Sequence, residues 1–427
     1  MRVNSKIVLS HSQIVLLTAT ICSVLLYFLF GVRMLPDSGS YIRAWENLKS
    51  GSFDVSRTPV YPFIYGAFKE CVGKTFALHV VIILQHVLFV VSSYCFYQIA
   101  KQVFISERIA FWIAVFYSVC PALNNWSVAF QTESFALSFL VFFVYFIVVD
   151  NYRNTYYGLF SSIVFLFLLV FLRPSFIYLF PVMLVYWTVS YFKGGKSRIR
   201  SAIGVVGIVL VFTSLFFYMK SFQKQYGIFA SSNVSVTNQY YIGRQYGVID
   251  PKVIDDTGLK EFVRNSYKDR GILCDEREYL WDFTHYIMGK YDLVTTQDAI
   301  TKSAKAHRKE WIRGLFSRVY YASRHPLLKS PIEPVGFVLD VFGLSLNSLN
   351  MLLALWFVAL FMNVRKFRKI PCISSLIIMI VAGNLAVTYI AGNDEWSRLN
   401  MPVLPFSFIL GCLLIEFVRS RNRMALK

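Results

Sequence analysis

The stretch IVLSHSQIVLLTATICSVLLYFLFGV, residues 7–32, is followed closely by the polar segment PDSGSY, residues 36–41. The apolar run exceeds the roughly 20 residues that a transmembrane helix needs, and it is too long for the hydrophobic region of a signal peptide. It also lacks a small-residue cleavage site, so we expect it to remain as a membrane anchor. Asp37 then lies just beyond the membrane surface, either as a solvated loop residue or as a functional carboxylate.

The composition is that of a membrane protein. Of 427 residues, 56% are hydrophobic and 16% are charged, against about 25% charged residues in soluble domains. The net charge of +19 comes from short clusters between apolar runs, a pattern that indicates topology and contact with lipid, not nucleic acid. Seven cysteines are scattered without CxxC or metal-ligand spacing, which is typical of small core residues in helices.

Ten apolar segments satisfy the length rule for a transmembrane helix. They lie near residues 11–32, 76–99, 108–124, 133–149, 156–172, 174–192, 201–219, 344–362, 371–391 and 402–418. Only Arg173-Pro174 separates the fifth from the sixth, and proline removes a backbone donor and disfavours helix at the preceding residue. A tight hairpin and a kinked helix both fit this local sequence.

Lysine and arginine are concentrated in alternate connections. They precede the first span and follow the second, fourth, sixth, eighth and tenth, while the intervening short connections carry almost none. Because positive loops are retained in the cytoplasm, we expect both termini there, and a kink at Arg173 would break the alternation. The predicted fold is therefore an all-α polytopic membrane helix bundle of about ten spans with a mainly helical extracytoplasmic loop domain.

This topology divides the chain into three parts. Residues 1–219 form an N-terminal transmembrane module with a first outer loop at 33–75, residues 220–343 form the loop domain, and residues 344–427 form a C-terminal transmembrane module. Apolar residues at helical spacing run from Ala299 to Phe316. They predict either an amphipathic helix on the bilayer or packing on the bundle; the headgroup-facing side would carry Lys302, Lys305, Arg308, Lys309 and Arg313.

Seven ionisable residues fall at the outer ends of helices in this topology: Asp37, Arg57, Glu133, Arg173, Asp394, Glu395 and Arg398. Charge near membrane depth is costly and is a default indication of function. Each has a structural alternative, because arginines can snorkel to the interface and Asp37 can act as the N-cap of a short helix beginning near Tyr41. Seven such residues on one side of the membrane predict a shared site.

The order of the local motifs resembles the glycosyltransferase C superfamily. The motifs are DSxxY at 37–41, RTPxYP at 57–62, TES at 132–134, LRP at 172–174 and EWxRxxxPxxP at 395–405. Within that superfamily the chain looks like the branch that contains protein O-mannosyltransferases and the lipid A aminoarabinose transferase. The resemblance extends from Met34 to about Pro405 and is weakest in the large outer loop.

This resemblance implies a polyprenyl-phosphate-linked sugar as donor, an acceptor hydroxyl on a glycan, lipid or protein, and Asp37 as the catalytic base. The implied substrate-binding set is Tyr41, Arg57, Tyr61, Glu133, Arg173, Asp394, Glu395 and Arg398. In it, Arg57 or Tyr61 positions the base, Glu133 contacts the acceptor sugar, and Arg173 with Arg398 holds the lipid phosphate. Family members often carry a second acid where this chain has Ser38, so a paired-carboxylate metal role does not carry over. No cofactor is predicted, and a divalent cation is left open.

The chemistry agrees with these residue types. A positioned base typically contributes 10² to 10⁴-fold to a rate, and arginines can neutralise a departing phosphate. The sequence has no P-loop and no GxGxxG in a strand–helix setting. One base with a separate leaving phosphate predicts inversion at the anomeric carbon.

Two other functions remain open. A transporter or flippase of lipid-linked sugars would handle the same substrate, although transporters tend to carry polar residues at the midplane. An oligosaccharide polymerase or ligase would concentrate essential residues in the large loop, where this chain has Arg308, Arg313, Arg318, Arg324, His307 and His325. On family resemblance we expect a bacterial inner membrane protein with an extracytoplasmic active site.

Overall fold

The computed structural model describes residues 9–104, 106–153, 155–193, 198–322, 372–392 and 396–413. These residues form helices, 3-10 turns and connections, and their one β feature is an isolated parallel bridge between Arg33 and Ala129. The predicted all-α class is confirmed.

The first ten helices are α1 (His11–Phe30), α2 (Ser38–Lys49), α3 (Val60–Val72), α4 (Lys74–Val103), α5 (Glu107–Val119), α6 (Pro121–Asn124), α7 (Glu133–Arg153), α8 (Tyr156–Leu172), α9 (Leu179–Lys193) and α10 (Arg198–Tyr226). Two 3-10 turns, Asn125–Val128 and Pro174–Tyr178, precede α7 and α9.

The outer helices are α11 (Val234–Gln245), α12 (Thr257–Arg270), α13 (Arg277–Lys290), α14 (Leu293–Ala306) and α15 (Arg308–Ala322). The C-terminal part contains α16 (Cys372–Ala391), α17 (Trp396–Asn400), the 3-10 turn Met401–Val403 and a helix over 404–413.

Six described helices are long and apolar enough to cross a bilayer: His11–Phe30, Lys74–Val103, Glu133–Asp150, Pro174–Phe192, Arg198–Tyr226 and Ile373–Ile390. A pair bent by 51°, Glu107–Val119 and Pro121–Val128, gives a seventh if it is one span. The shorter apolar helices Tyr156–Leu172 and Arg398–Leu413 coincide with two more predicted spans. The predicted span at 344–362 lies outside the described residues, so the total of ten remains a prediction.

The chain reverses direction at Arg173-Pro174. Along α9, the earlier residue Phe180 contacts Phe212 of α10 and the later residue Trp187 contacts Gly204, so the order is reversed. Along α8, Ile163 contacts Gly207 and the later residue Phe171 contacts Tyr218, so the order is the same. Helix α8 therefore runs parallel to α10 and α9 runs antiparallel to it. The hairpin, and not the kinked helix, is the arrangement in the structure.

The same contacts define two ends of the bundle. Gly158 near the start of α8 lies against Asp150 near the end of α7, so Glu133 at the start of α7 is at the Arg173 end. At the opposite end, Arg200 lies 3.8 Å from Asp150. Lys193 at the end of α9 and Arg198 and Arg200 at the start of α10 thus lie at the end of the bundle away from the Arg173 hairpin.

Beyond the bundle, α10 continues into a group of helices with its own hydrophobic cluster, which includes Phe222, Tyr240, Leu259, Phe283 and Ile300. The segment predicted as one amphipathic helix is two helices, because α14 ends at Ala306 and α15 begins at Arg308. Helix α14 buries Ala299 and Ile300 in this cluster, and α15 packs against α16. These contacts favour packing on protein over an isolated helix on the bilayer.

Candidate active site

The first outer loop is fastened to the segment that precedes α7. The Arg33 amide donates to the Val128 carbonyl at 2.8 Å, and the Phe130 amide donates to the Arg33 carbonyl at 2.9 Å. The Ser38 hydroxyl donates to the Phe130 carbonyl at 2.9 Å and accepts from the Leu35 amide at 2.9 Å. Because Ser38 is held in this way, α2 begins there, three residues before the predicted start near Tyr41.

Asp37 occupies the N-cap position of α2, but its side chain makes no capping hydrogen bond. One carboxylate oxygen, Oδ1, lies 2.7 Å from Arg57 Nη2, and Oδ2 lies 2.9 Å from Arg398 Nη1. The side chain is 35% exposed. The carboxylate is therefore engaged by two guanidinium groups at a partly open position, and the structural alternative of a helix cap does not apply.

Glu133 begins α7 and has a fully buried side chain. Its Oε1 accepts a hydrogen bond from Arg398 Nε and lies 3.6 Å from Arg173 Nη1. Arg173 stands in extended conformation between α8 and the turn Pro174–Tyr178. Neither Glu133 Oε2 nor Arg173 Nη1 has a hydrogen-bond partner in the described part of the chain.

Five of the seven predicted residues thus form one ionic network in the order Arg57, Asp37, Arg398, Glu133 and Arg173. Three arginines and two carboxylates leave one net positive charge, which suits binding of an anion. Burial of Asp37 acts to raise its pKa, but the charges of Arg57 and Arg398 outweigh that effect, so the pKa lies below its ordinary value. Asp37 is therefore ionised at neutral pH. The other two predicted residues, Asp394 and Glu395, lie outside the described residues.

Asp54 shapes the turn that presents Arg57. Its Oδ1 accepts from the backbone amides of Ser56 and Arg57, both at 2.9 Å. Arg57 Nε then donates to the Ser40 hydroxyl at 2.6 Å, and the guanidinium lies 4.5 Å from the centre of the Tyr41 ring. Burial acts to lower the pKa of Arg57, but Tyr41 and Asp37 raise it overall. Asp54 was missed from sequence, although an aspartate two residues before Ser56 is a typical Asx-turn signal.

The rings of the two predicted tyrosines, Tyr41 and Tyr61, are in edge-to-face contact. Their ring centres are 4.8 Å apart, and Tyr41 is buried. The Tyr61 hydroxyl donates to Gln85 Oε1 at 3.1 Å, and the Gln85 amide donates to the Ala129 carbonyl at 2.9 Å. Of the two residues predicted to position Asp37, Arg57 contacts it, whereas the Tyr61 hydroxyl is directed to Gln85.

Arg398 is carried by α17, a helix of only five residues. Its neighbour Asn400 accepts a hydrogen bond at 2.9 Å from Asn384 of α16. Sequence reasoning also missed Asn384, because a single asparagine within an apolar helix gives no signal of its partner.

The described loop-domain residues proposed for a polymerase or ligase differ in their surroundings. Arg308 and Arg313 are exposed, Arg318 is buried, and His307 pairs with Asp250 at 2.9 Å. Arg324 and His325 lie outside the described residues.

No group of three His, Cys, Asp or Glu side chains within the described ranges is arranged to hold a metal ion. The divalent cation left open by the sequence therefore stays a prediction.

Fold and network together describe a multi-pass membrane protein whose charged residues converge at one end of the helix bundle. The sequence profile of the family described as dolichyl-phosphate-mannose-protein mannosyltransferase matches residues 56–218. That range includes Arg57, Glu133 and Arg173, and excludes Asp37 and Arg398. A comparison with curated protein sequences finds no match.

The fold is similar to solved oligosaccharyltransferases of Archaeoglobus fulgidus. AglB in complex with an inhibitory peptide and a dolichol-phosphate has a TM-score of 0.52 at 14% identity, and the match covers 97% of this chain and 51% of that one. The same values hold for the enzyme tethered by a disulfide to an acceptor peptide with an NVT sequon. The apo form has a TM-score of 0.50 at the same identity and coverage.

This chain thus spans about half the length of the matched oligosaccharyltransferase, and at 14% identity the likeness concerns the fold. The profile match over residues 56–218 and the shared fold together support the glycosyltransferase C superfamily, as the sequence predicted.

Proposed function

We propose that this chain transfers a sugar from a polyprenyl-phosphate donor to a hydroxyl group of an extracytoplasmic glycan, lipid or protein, with Asp37 as general base and inversion at the anomeric carbon. The observation that carries the proposal is the ionic network, in which a partly exposed carboxylate lies between Arg57 and Arg398. Such a network offers a proton acceptor and phosphate-binding cations within one site.

The donor class is supported by charge. The network has one net positive charge, and its arginines can bind phosphate through planar, bidentate contacts. In the described part of the chain Arg173 Nη1 has no hydrogen-bond partner, which leaves a donor for a phosphate oxygen. The matched family is named for a dolichyl-phosphate sugar, and the AglB complex contains a dolichol-phosphate. We assign Arg398 and Arg173 to the phosphate.

In the proposed reaction, the oxygen of the acceptor hydroxyl forms a bond to the anomeric carbon, and Asp37 takes the proton of that hydroxyl. The bond from that carbon to the phosphate oxygen breaks, and polyprenyl phosphate leaves with its electron pair. Arginine charge stabilises the leaving phosphate most in the transition state, when negative charge develops there. Attack from the face opposite the leaving group inverts the anomeric centre.

Asp37 is a weak base while two guanidinium groups hold its pKa down. A bound donor phosphate shares Arg398 with Asp37, which removes part of that arginine's charge from the carboxylate. The effect of burial is then opposed less, and the pKa of Asp37 rises above its value in the donor-free site. The base therefore becomes stronger when the donor is present.

Glu133 is fully buried against Arg398 and Arg173. This placement favours a role in orienting the two arginines over the direct contact with acceptor sugar that the resemblance implies. Tyr41 supports Arg57 through its ring, and Tyr61 supports the loop through Gln85.

Sidedness follows from the basic clusters. Of the basic residues in these clusters, Lys193, Arg198 and Arg200 are described and lie at the end of the bundle opposite the network, and positive loops are retained in the cytoplasm. We therefore propose an extracytoplasmic site, cytoplasmic termini and, on the family resemblance, a bacterial inner membrane.

The donor class can be tested with purified chain in lipid nanodiscs and acceptor-containing membranes from a deletion strain. The donors are a polyprenyl-phosphate sugar, a polyprenyl-pyrophosphate sugar and a nucleotide sugar, and the readout is acceptor-dependent glycosylation. We expect turnover with the monophosphate donor, and a rise of about 10- to 100-fold in its apparent KM in Arg398→Ala, because a hydrogen bond to a charged group contributes roughly 1.5–3 kcal/mol.

Arg308→Ala, at an exposed position in the loop domain, is the matched control and should behave as wild type. Turnover with the nucleotide sugar alone, or an unchanged donor KM in Arg398→Ala, would contradict the proposed donor and its binding site.

A further inference from the structure

A buried arginine of the outer helices contacts the end of a membrane helix close to Arg398. Arg318 of α15 has 1% of its surface exposed. Its Nη2 donates a hydrogen bond to the Gly392 carbonyl, directly after α16, and its Nη1 donates to Gln245 Oε1 of α11 at 3.4 Å. One side chain therefore joins α11, α15 and α16.

A helix end explains part of this contact. The last carbonyl groups of a helix have no amide partner within the helix, and a cation is favourable near them. Gly392 is buried, so the guanidinium supplies the hydrogen bond there. This structural role alone predicts an effect on stability and none on substrate binding.

The surroundings of Gly392 add a second role. A Cβ at this position would lie 2.4 Å from the Thr388 carbonyl oxygen and 2.9 Å from Leu399 Cδ1, closer than a Cβ approaches other atoms. Leu399 is the residue next to Arg398 in α17. The backbone at Gly392 is thus in close contact with the helix that carries the phosphate-binding arginine.

Helix α17 depends on such contacts. It has five residues, far fewer than the 12–15 or so that an isolated helix needs for marginal stability. Its described ties to α16 and the residue after it include the Gly392–Leu399 contact and the hydrogen bonds from the Asn384 amide to Asn400 Oδ1 at 2.9 Å and to the Leu399 carbonyl at 3.5 Å. The orientation of the Arg398 side chain therefore depends on the position of α16, and Arg318 fixes the end of α16 through its hydrogen bond to the Gly392 carbonyl.

We propose that Arg318 is a positioning residue for the donor site: by fixing the Gly392 carbonyl, it holds α17 so that Arg398 reaches Asp37 and Glu133 together. The inference rests on the proposed function, in which Arg398 binds the donor phosphate. It makes the outer helices a functional part of the transferase, because a misplacement of about 1 Å in a binding group can cost 100-fold.

The test compares Arg318→Gln with Arg313→Gln, which changes an exposed arginine of the same helix. We expect Arg318→Gln to raise the apparent donor KM about 10- to 100-fold with little change in acceptor KM, and Arg313→Gln to match wild type. In the Arg318→Gln, Arg398→Ala double variant, the donor KM should be no higher than in Arg398→Ala alone, because coupled residues are not additive. A folded Arg318→Gln protein with wild-type donor KM, or a double variant whose effects multiply, overturns the inference.

A second variant covers the case in which Arg318→Gln does not fold. Gly392→Ala disturbs the same joint without removing a buried charge, and it should raise donor KM in the same way; wild-type kinetics in this variant would reject the proposed joint.

A readout independent of catalysis separates this inference from the proposed function. Hydrogen exchange of the backbone amides of residues 398–401 should speed up in Arg318→Gln and stay unchanged in Arg313→Gln. If Arg398→Ala leaves donor KM unchanged, the phosphate assignment fails, yet faster exchange still supports the link from Arg318 to α17. Unchanged exchange refutes that link.

Discussion

Replacing Glu133 with glutamine tests the internal logic of the network. The amide has nearly the same shape, but it removes one of two negative charges among three arginines, so the net charge of the group rises from +1 to +2. Glu133 Oε1 faces both Arg398 Nε and, at 3.6 Å, Arg173 Nη1. The substitution therefore deprives two cations of their common anion in a fully buried position.

The magnitude can be estimated from these contacts. Removing one partner of a buried ion pair costs about 3–5 kcal/mol. The introduced glutamine side chain would keep a carbonyl oxygen able to accept from Arg398, and a hydrogen bond from a charged donor retains about 1.5–3 kcal/mol. We therefore expect Glu133→Gln to lower the free energy of unfolding by roughly 1–3 kcal/mol. Loss of orientation at Arg398 should lower the transfer rate about 10- to 100-fold.

The assay combines denaturant unfolding in lipid–detergent micelles with single-turnover transfer on the fraction that remains folded. Glu70→Gln is the matched control, because Glu70 is an exposed carboxylate that pairs with Lys49 at 3.0 Å. It should change neither measurement. Wild-type unfolding and wild-type transfer in Glu133→Gln would refute the reasoning that this carboxylate orients the arginines.

Three further results are expected. Because Asp37 has a lowered pKa in the donor-free site, its charged form is complete at neutral pH and is lost only as pH falls through that value. The acid limb of kcat/KM for the donor, which reports the donor-free enzyme, should therefore lie below the ordinary range of an aspartate and move to higher pH in Arg57→Ala. An unmoved limb argues against Asp37 as the titrating base. Asp54→Ala should reduce the transfer rate more than Asp54→Asn, because the asparagine Oδ1 can still accept hydrogen bonds from the Ser56 and Arg57 amides. Equal activity of the two variants would show that this turn does not position Arg57. Gly66→Ala should lower the melting temperature and the transfer rate, because a Cβ there would lie 1.9 Å from Trp45 Cδ2 and push α2 away from α3. An unchanged melting temperature would show that the two helices are not pushed apart.

Length and apolar composition were sufficient to predict the membrane helices that are described. The spans expected at 11–32 and 76–99 correspond to His11–Phe30 and Lys74–Val103, because a bilayer imposes a minimum apolar length. The residues at which these helices begin and end were less predictable. Helix α10 continues to Tyr226, beyond the expected end at 219, since hydrogen bonding within a helix does not stop at the membrane surface.

The first outer loop shows why helices in polar segments are harder to predict from sequence than membrane spans. Helices α2 and α3 pack against each other and only Gly73, with φ of +80°, separates α3 from α4. Neither helix has a long apolar run, so the length rule gives no signal for them. Packing against the bundle stabilises them: α3 contacts α4 and α8, and just before α3 the Thr58 hydroxyl donates to the Leu172 carbonyl at 2.9 Å.

For the site, topology alone predicted that the five described residues of the network share one end of the bundle. It could not predict which arginine meets which carboxylate, because Arg398 reaches Asp37 across 361 positions of sequence. The complete burial of Glu133 was also beyond the sequence, since the side chain lies between Arg398 and Arg173, which come from two distant parts of the chain.

The most direct measurement is single-turnover transfer by Asp37→Asn with a bound polyprenyl-phosphate sugar. The variant should insert, accumulate and bind donor, because Oδ1 of asparagine still accepts from a guanidinium, while its transfer rate falls at least about 100-fold for lack of a proton acceptor. Transfer within a few-fold of wild type, in protein that binds donor normally, would contradict the assignment of Asp37 as the base.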